Sequence, residues 1–85
     1  MRASMAIHPG EVLKEDFMVP HGLNTDQLAI ALGVTPNDII GIIQGTQNIT
    51  SVMAILLGRT FNTSTGFWLE LQVQYELDIK RSKTT

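Results

Sequence analysis

Gln27-Leu28-Ala29-Ile30-Ala31-Leu32-Gly33-Val34-Thr35-Pro36-Asn37-Asp38-Ile39-Ile40-Gly41-Ile42-Ile43-Gln44 sets two short helical patterns on either side of one tight turn. Leu28, Leu32, Ile39 and Ile42 supply the contacts to be buried, Ala29 is small where the helices cross, Gly33 permits a left-handed turn and Val34 plugs the corner. This spacing is that of a helix-turn-helix. Asn24 caps the first helix of the pair, with Gln27 as capping-box partner and Leu23 and Leu28 as a staple. Thr35 caps the second, with Pro36 at its first position, Asp38 in its first turn, Val34 and Ile39 as staple, and Gly45 as its stop.

Outward from this pair the chain continues to read as helices and breaks. An earlier helix opens at Pro9, runs through Glu11 to Met18 with Leu13 and Phe17 on its inner face, and is expected to stop at Pro20. After the polar loop Thr46-Gln47-Asn48, Thr50 caps a fourth helix carrying Ala54, Leu57 and Phe61, which Asn62 closes. Ser64 caps the last, with Phe67, Trp68, Leu71 and Tyr75 on one side and Glu70, Gln74 and Asp78 largely on the other. The expectation is an all-α, five-helix, repressor-like domain over residues 1–78 with a central helix-turn-helix. Residues 79–85, including Lys80, Arg81 and Lys83, are expected to form a disordered basic tail.

Eighty-five residues allow one core and no second domain. No cysteine is present, which removes disulfides, thiolate metal sites and cysteine nucleophiles. His8 and His21 lie in different loops without companion ligands, so neither a metal nor another cofactor is expected. Glu11 and Glu15 stand one turn apart but have no nucleophile or phosphate loop beside them, so the chain reads as a binding module with no small-molecule substrate, not as an enzyme. The start lacks the apolar run of a signal peptide, and the uncharged stretch from Ile39 to Gly58 is broken by Gln44 to Asn48, against a membrane span. A cytoplasmic location is expected.

In a helix-turn-helix the second helix enters the DNA major groove and presents its first turn and outward face to base edges. Here those residues are Thr35, Asn37, Asp38, Ile40, Gly41 and Gln44. Asn37 and Gln44 suit adenine, Ile40 a thymine methyl, and Gly41 close approach of the backbone. Thr46, Gln47 and Asn48 in the following loop, with Thr50 and Ser51, suit phosphates. Trp68, Leu71 and Tyr75 offer more apolar surface than so small a core absorbs and are assigned to a homodimer interface.

The runs Ile7-His8-Pro9-Gly10-Glu11-Val12-Leu13, Ala31-Leu32-Gly33-Val34 and Phe67-Trp68-Leu69-Glu70-Leu71, with their surroundings from Ile7 to Leu77, resemble the HigA-type, or virulence-associated, antitoxins of the Cro-repressor-like superfamily. The resemblance implies a dimeric repressor that binds operator DNA of its own operon and neutralises a cognate toxin, a ribosome-dependent mRNA-cleaving protein. The chain departs from that family in charge. Members carry Arg or Lys around the positions of Asp38, Gln44, Thr46 and Gln47, whereas this chain has neither residue between Lys14 and Arg59. Side-chain neutralisation of phosphates is the main affinity term for duplex DNA. The alternative is therefore a protein-binding antitoxin or scaffold with a degenerate helix-turn-helix, its apolar run from Ile39 to Ile43 covered by protein.

Overall fold

The computed structural model describes residues 6–84, without the side chains of residues 83 and 84; residues 1–5, which include the start read above for targeting signals, lie outside the described residues. Five helices follow one another: α1 over residues 9–21, α2 Thr25–Leu32, α3 Pro36–Gln44, α4 Ser51–Phe61 and α5 Thr65–Thr84. No described helix is long and apolar enough to cross a membrane.

α1 corrects the expectation at Pro20. It is an α-helical turn, Pro9–Val12, followed by a π-helical segment, Leu13–Met18, and an α-helical end, Val19–His21. A proline inside an α-helix lacks the amide hydrogen, and its ring strikes the carbonyl four residues back. The wider winding removes that conflict: Val19 N–H donates to the Lys14 carbonyl, five residues back, and Leu23 N–H likewise to that of Met18. The helix thus passes through Pro20 and ends at Gly22, whose φ of 66° is the left-handed geometry that glycine adopts without penalty.

The middle of the chain follows its caps. Asn24 Oδ1 accepts the Gln27 N–H at 2.8 Å while Gln27 Oε1 accepts the Asn24 N–H at 2.9 Å. Thr35 and Asp38 repeat the exchange at the start of α3, both bonds at 3.2 Å. Thr50 caps α4, Asn62 closes it with φ 57°, and Ser64 caps α5. Helical backbone then continues through residues 79–84 where a frayed tail was expected. Arg81 donates to Asp78 Oδ1 at 3.3 Å there, and cations in a last turn suit the negative end of a helix.

The core is one cluster, with Leu13 and Met18 of α1, Leu28, Ala29 and Leu32 of α2, Ile39 and Ile42 of α3, Met53, Ala54 and Leu57 of α4, and Trp68 of α5. One end is aromatic: the Phe17 ring lies 5.0 Å from both Phe61 and Trp68, and Phe67 stands edge-on to Trp68 at 5.1 Å. Trp68 is fully buried and its Nε1 donates to Thr63 Oγ1 at 2.8 Å. This corrects its assignment to a dimer interface, because a side chain that fills the monomer core has no surface left for a second copy.

α3 is fixed from behind by α1. Gly10 is buried so closely that a Cβ there would stand 2.7 Å from the Ile42 carbonyl carbon and 2.9 Å from Ile43 Cα, nearer than real Cβ contacts come. The backbones of the two helices therefore touch, and α3 is held in place without long side chains between them.

Candidate nucleic-acid interface

α3 buries Ile39, Gly41 and Ile42 and half-buries Asp38, Ile40 and Ile43. At 100° per residue, Pro36, Asn37, Ile40 and Gln44 form the outward strip. Asn37 and Gln44 are exposed, nearly aligned along the axis and about 10 Å apart at 1.5 Å of rise per residue. Neither side-chain amide makes a hydrogen bond among the described residues, so each keeps the donor and acceptor needed for a bidentate contact with an adenine edge. Thr46, Gln47 and Asn48 stand exposed immediately beyond.

Other expected contact residues are already engaged. The Thr35 hydroxyl and the Asp38 carboxylate cap each other's backbone at the helix start. Gly41 is not an opening for DNA: it is buried, and a Cβ there would lie 2.6 to 2.7 Å from the Gln47 side chain, which folds over it. The small residue therefore accommodates Gln47. The Thr46 hydroxyl donates to the Gly41 carbonyl at 3.2 Å, which ties the loop to α3. Ile40 is half-buried and, with Lys14, Met18, Val19, Leu23, Ile43 and Gln44, lines an open groove of about 430 Å³ between α1 and the helix-turn-helix.

Two buried polar residues outside the expected contact set, Gln72 and His8, lie next to the loop. Gln72 of α5 is buried, and its Oε1 accepts the Ile49 N–H at 2.8 Å while its Nε2 donates to Glu76 Oε2 at 3.0 Å. The signal for it is a Gln four residues after Trp68, on an otherwise apolar helix face. His8 is also buried, and its Nδ1 accepts the Gly10 N–H at 2.9 Å, capping α1. Burial pushes its pKa below the ordinary histidine value of 6.5, opposed by the Gln47 backbone and the Glu11 carboxylate. Of the two other residues assigned to a dimer, Leu71 is half-buried and packs on the core, and Tyr75 is half-buried with its ring on that of His8.

Electrostatics are unusual for a DNA-facing surface. Residues 6–58 carry five carboxylates, Glu11, Glu15, Asp16, Asp26 and Asp38, and one cation, Lys14. Positive charge gathers instead at Arg59 and in the last turns of α5.

A supporting helix, a turn at Gly33 and a second helix with an uncommitted polar strip define a helix-turn-helix protein of the repressor-like class. In sequence the chain is 42% identical over 72 residues to virulence-associated protein I of Dichelobacter nodosus, covering 85% of this chain and 67% of the relative. It is 35% identical over 68 residues to antitoxin HigA-1 of Vibrio cholerae, covering 80% of this chain and 64% of that one. The solved structure of the Pseudomonas aeruginosa antitoxin HigA with the higBA promoter matches at a TM-score of 0.89 and 37% identity, over 93% of this chain and 86% of that chain. No family model matches the chain. The chain belongs to the family of HigA and virulence-associated helix-turn-helix proteins.

Proposed function

We propose that this chain is an antitoxin-type transcriptional regulator that acts in the cytoplasm, binds DNA upstream of its own gene through α3 and the loop 45–48, and neutralises a toxin encoded beside it. The observation that carries the reading is the pair of uncommitted amides, Asn37 and Gln44, on the outward strip of a helix whose other hydrogen-bonding side chains, Thr35 and Asp38, are spent on capping. The likeness to an antitoxin solved with its promoter supports it. A toxin that cleaves mRNA on the ribosome is what the family resemblance implies for the partner.

With almost no cation beside α3, binding rests on hydrogen bonds and apolar base contacts more than on phosphate neutralisation. A homodimer places two such helices on half-sites about 34 Å apart. Its interface draws on Val73 and Leu77, four residues apart on one face of α5 and 46% and 40% exposed. Trp68 plays no part in it.

Gel retardation of the duplex upstream of the gene, at a fixed salt concentration and with or without the neighbouring gene product, tests the proposal. A complex on that duplex and none on a shuffled one is expected. The five carboxylates of residues 6–58 favour the second reading, a protein-binding antitoxin without DNA function. Binding of the neighbouring product with no DNA complex at any salt would establish it.

A further inference from the structure

The loop that follows α3 is held at both ends by groups of different kinds. At its far end Gln72, which does not titrate, accepts the Ile49 N–H. At its near end stands His8, 8% exposed. Three elements meet its ring. Nδ1 accepts the Gly10 N–H of α1, which leaves the proton of the neutral ring on Nε2. The ring lies near the loop: a Cβ on Gly45 would stand 3.7 Å from Cδ2 and 3.8 Å from Cγ. The ring also meets that of Tyr75 of α5 in a T-shaped contact, with centroids 4.7 Å apart at 72°. Nε2 is buried and has no hydrogen-bond partner, although the Gln47 backbone is near enough to favour a proton there.

We infer that His8 is a positioning residue for the loop 45–48: neutral, it caps α1 and packs its ring against Gly45 and against Tyr75 of α5, and on taking a second proton it releases that loop, so that DNA affinity falls in mild acid. A protonated Nδ1 becomes a donor facing the Gly10 N–H, so the cap is lost and a charge is left buried. Of the groups bearing on the ring, Glu11 on α1 is the charged one, Tyr75 on α5 is the other ionisable side chain, and the loop 45–48 has none. Burial outweighs both the Gln47 backbone and Glu11, so the seated conformation is the one with neutral His8. Proton uptake then favours the released loop by up to about tenfold for each pH unit between the ordinary histidine midpoint of about 6.5 and the lower midpoint of the seated state, and no further below that. The effect on DNA rests on the proposed function above, whereas the positioning of the loop does not.

Amide and imidazole resonances of the full chain followed by NMR from pH 8 to pH 5 test the positioning directly. The amides of Gly10, Gly45, Thr46 and Gln47 are expected to move with the midpoint of the His8 ring and to lose that movement in His8→Phe, which keeps a ring against Tyr75 but cannot titrate. If His8→Phe does not fold, His8→Asn, which retains a capping acceptor, replaces it. Loop amides that ignore the His8 midpoint, or that titrate unchanged in the variant, would overturn the inference. In parallel, affinity for the upstream duplex at fixed salt should drop at least fivefold from pH 7.5 to pH 5.5 in the wild type and stay level in the variant. Equal losses in both proteins would refute the regulatory role. Absence of DNA binding at every pH would refute the DNA-binding function and, with it, that role, while the spectra would still decide the positioning.

Discussion

Replacing Gly10 by alanine sets helix propensity against packing, and the structure gives the sign. In an open helix the substitution stabilises by up to about 1 kcal/mol. Here the new methyl would sit 2.7 Å from the Ile42 carbonyl carbon and 2.9 Å from Ile43 Cα, and closer still to the Ile42 oxygen. These are backbone atoms of α3, which cannot rotate away as a side-chain tip can. Overpacking of a tight core costs about 1 to 3 kcal/mol, and a clash with the backbone of two residues belongs at the upper end. A net loss of about 2 kcal/mol follows, or a melting temperature lower by roughly 8 to 16 °C for a domain of this size. Gly66→Ala is the control: a Cβ there meets nothing nearer than Ser64 Oγ at 4.0 Å, so its melting temperature should hold or rise. Thermal unfolding followed by circular dichroism at pH 7.5 reads both. A Gly10→Ala protein that melts at or above the wild type would show that α1 and α3 do not touch through their backbones.

Trp68→Ala should destabilise the monomer by about 3 to 5 kcal/mol, as loss of a fully buried indole does, whereas Val73→Glu with Leu77→Glu should leave the helical content intact and shift light scattering from dimer to monomer. The opposite pattern would return Trp68 to the interface. Stability should also depend on pH through His8. Its midpoint is lower folded than unfolded, so the unfolded chain binds more protons below about 6.5, and stability is full above that value and declines as pH falls, by at most about 1.4 kcal/mol per unit; urea titrations at pH 7.5 and 5.5 should show this difference shrinking in His8→Phe. For DNA binding, the slope of log affinity against log salt should be shallow, each side-chain neutralisation contributing about 0.9, and Gln44→Arg should steepen it by about one such step. An unchanged slope in Gln44→Arg would mean that the helix does not lie along DNA.

Helix boundaries were most legible where one residue both caps and is capped. Asn24 with Gln27 announces the start of α2 through spacing alone, and the structure makes both bonds; Thr35 likewise caps α3, and Asp38, expected only as an acid in the first turn, adds the return bond to the Thr35 N–H. Pro20 misleads because a proline forbids one α-helical bond and not a helix: a π-helical turn ahead of it satisfies the same atoms. Trp68 misleads because helical periodicity identifies a face without saying what covers it, and Phe17, distant in sequence, packs its ring against the indole. The candidate site divides in the same way. Asn37 and Gln44 emerge from position on one helix. Gly41 lies under a side chain of the next loop, and the grip of His8 and Gln72 on that loop depends on contacts 23 or more residues apart, which no local pattern encodes.

Reading of base edges by Asn37 and Gln44 of α3 is measured by fluorescence anisotropy of the upstream duplex against a shuffled duplex of equal length, with wild type and the Asn37→Ala, Gln44→Ala double variant. Each bidentate contact contributes about 1 to 3 kcal/mol of discrimination, so the double variant should bind the upstream duplex at least tenfold more weakly while its affinity for the shuffled duplex stays the same. Equal affinity of wild type and variant for the upstream duplex would exclude base reading by these two amides and place DNA recognition elsewhere on the chain.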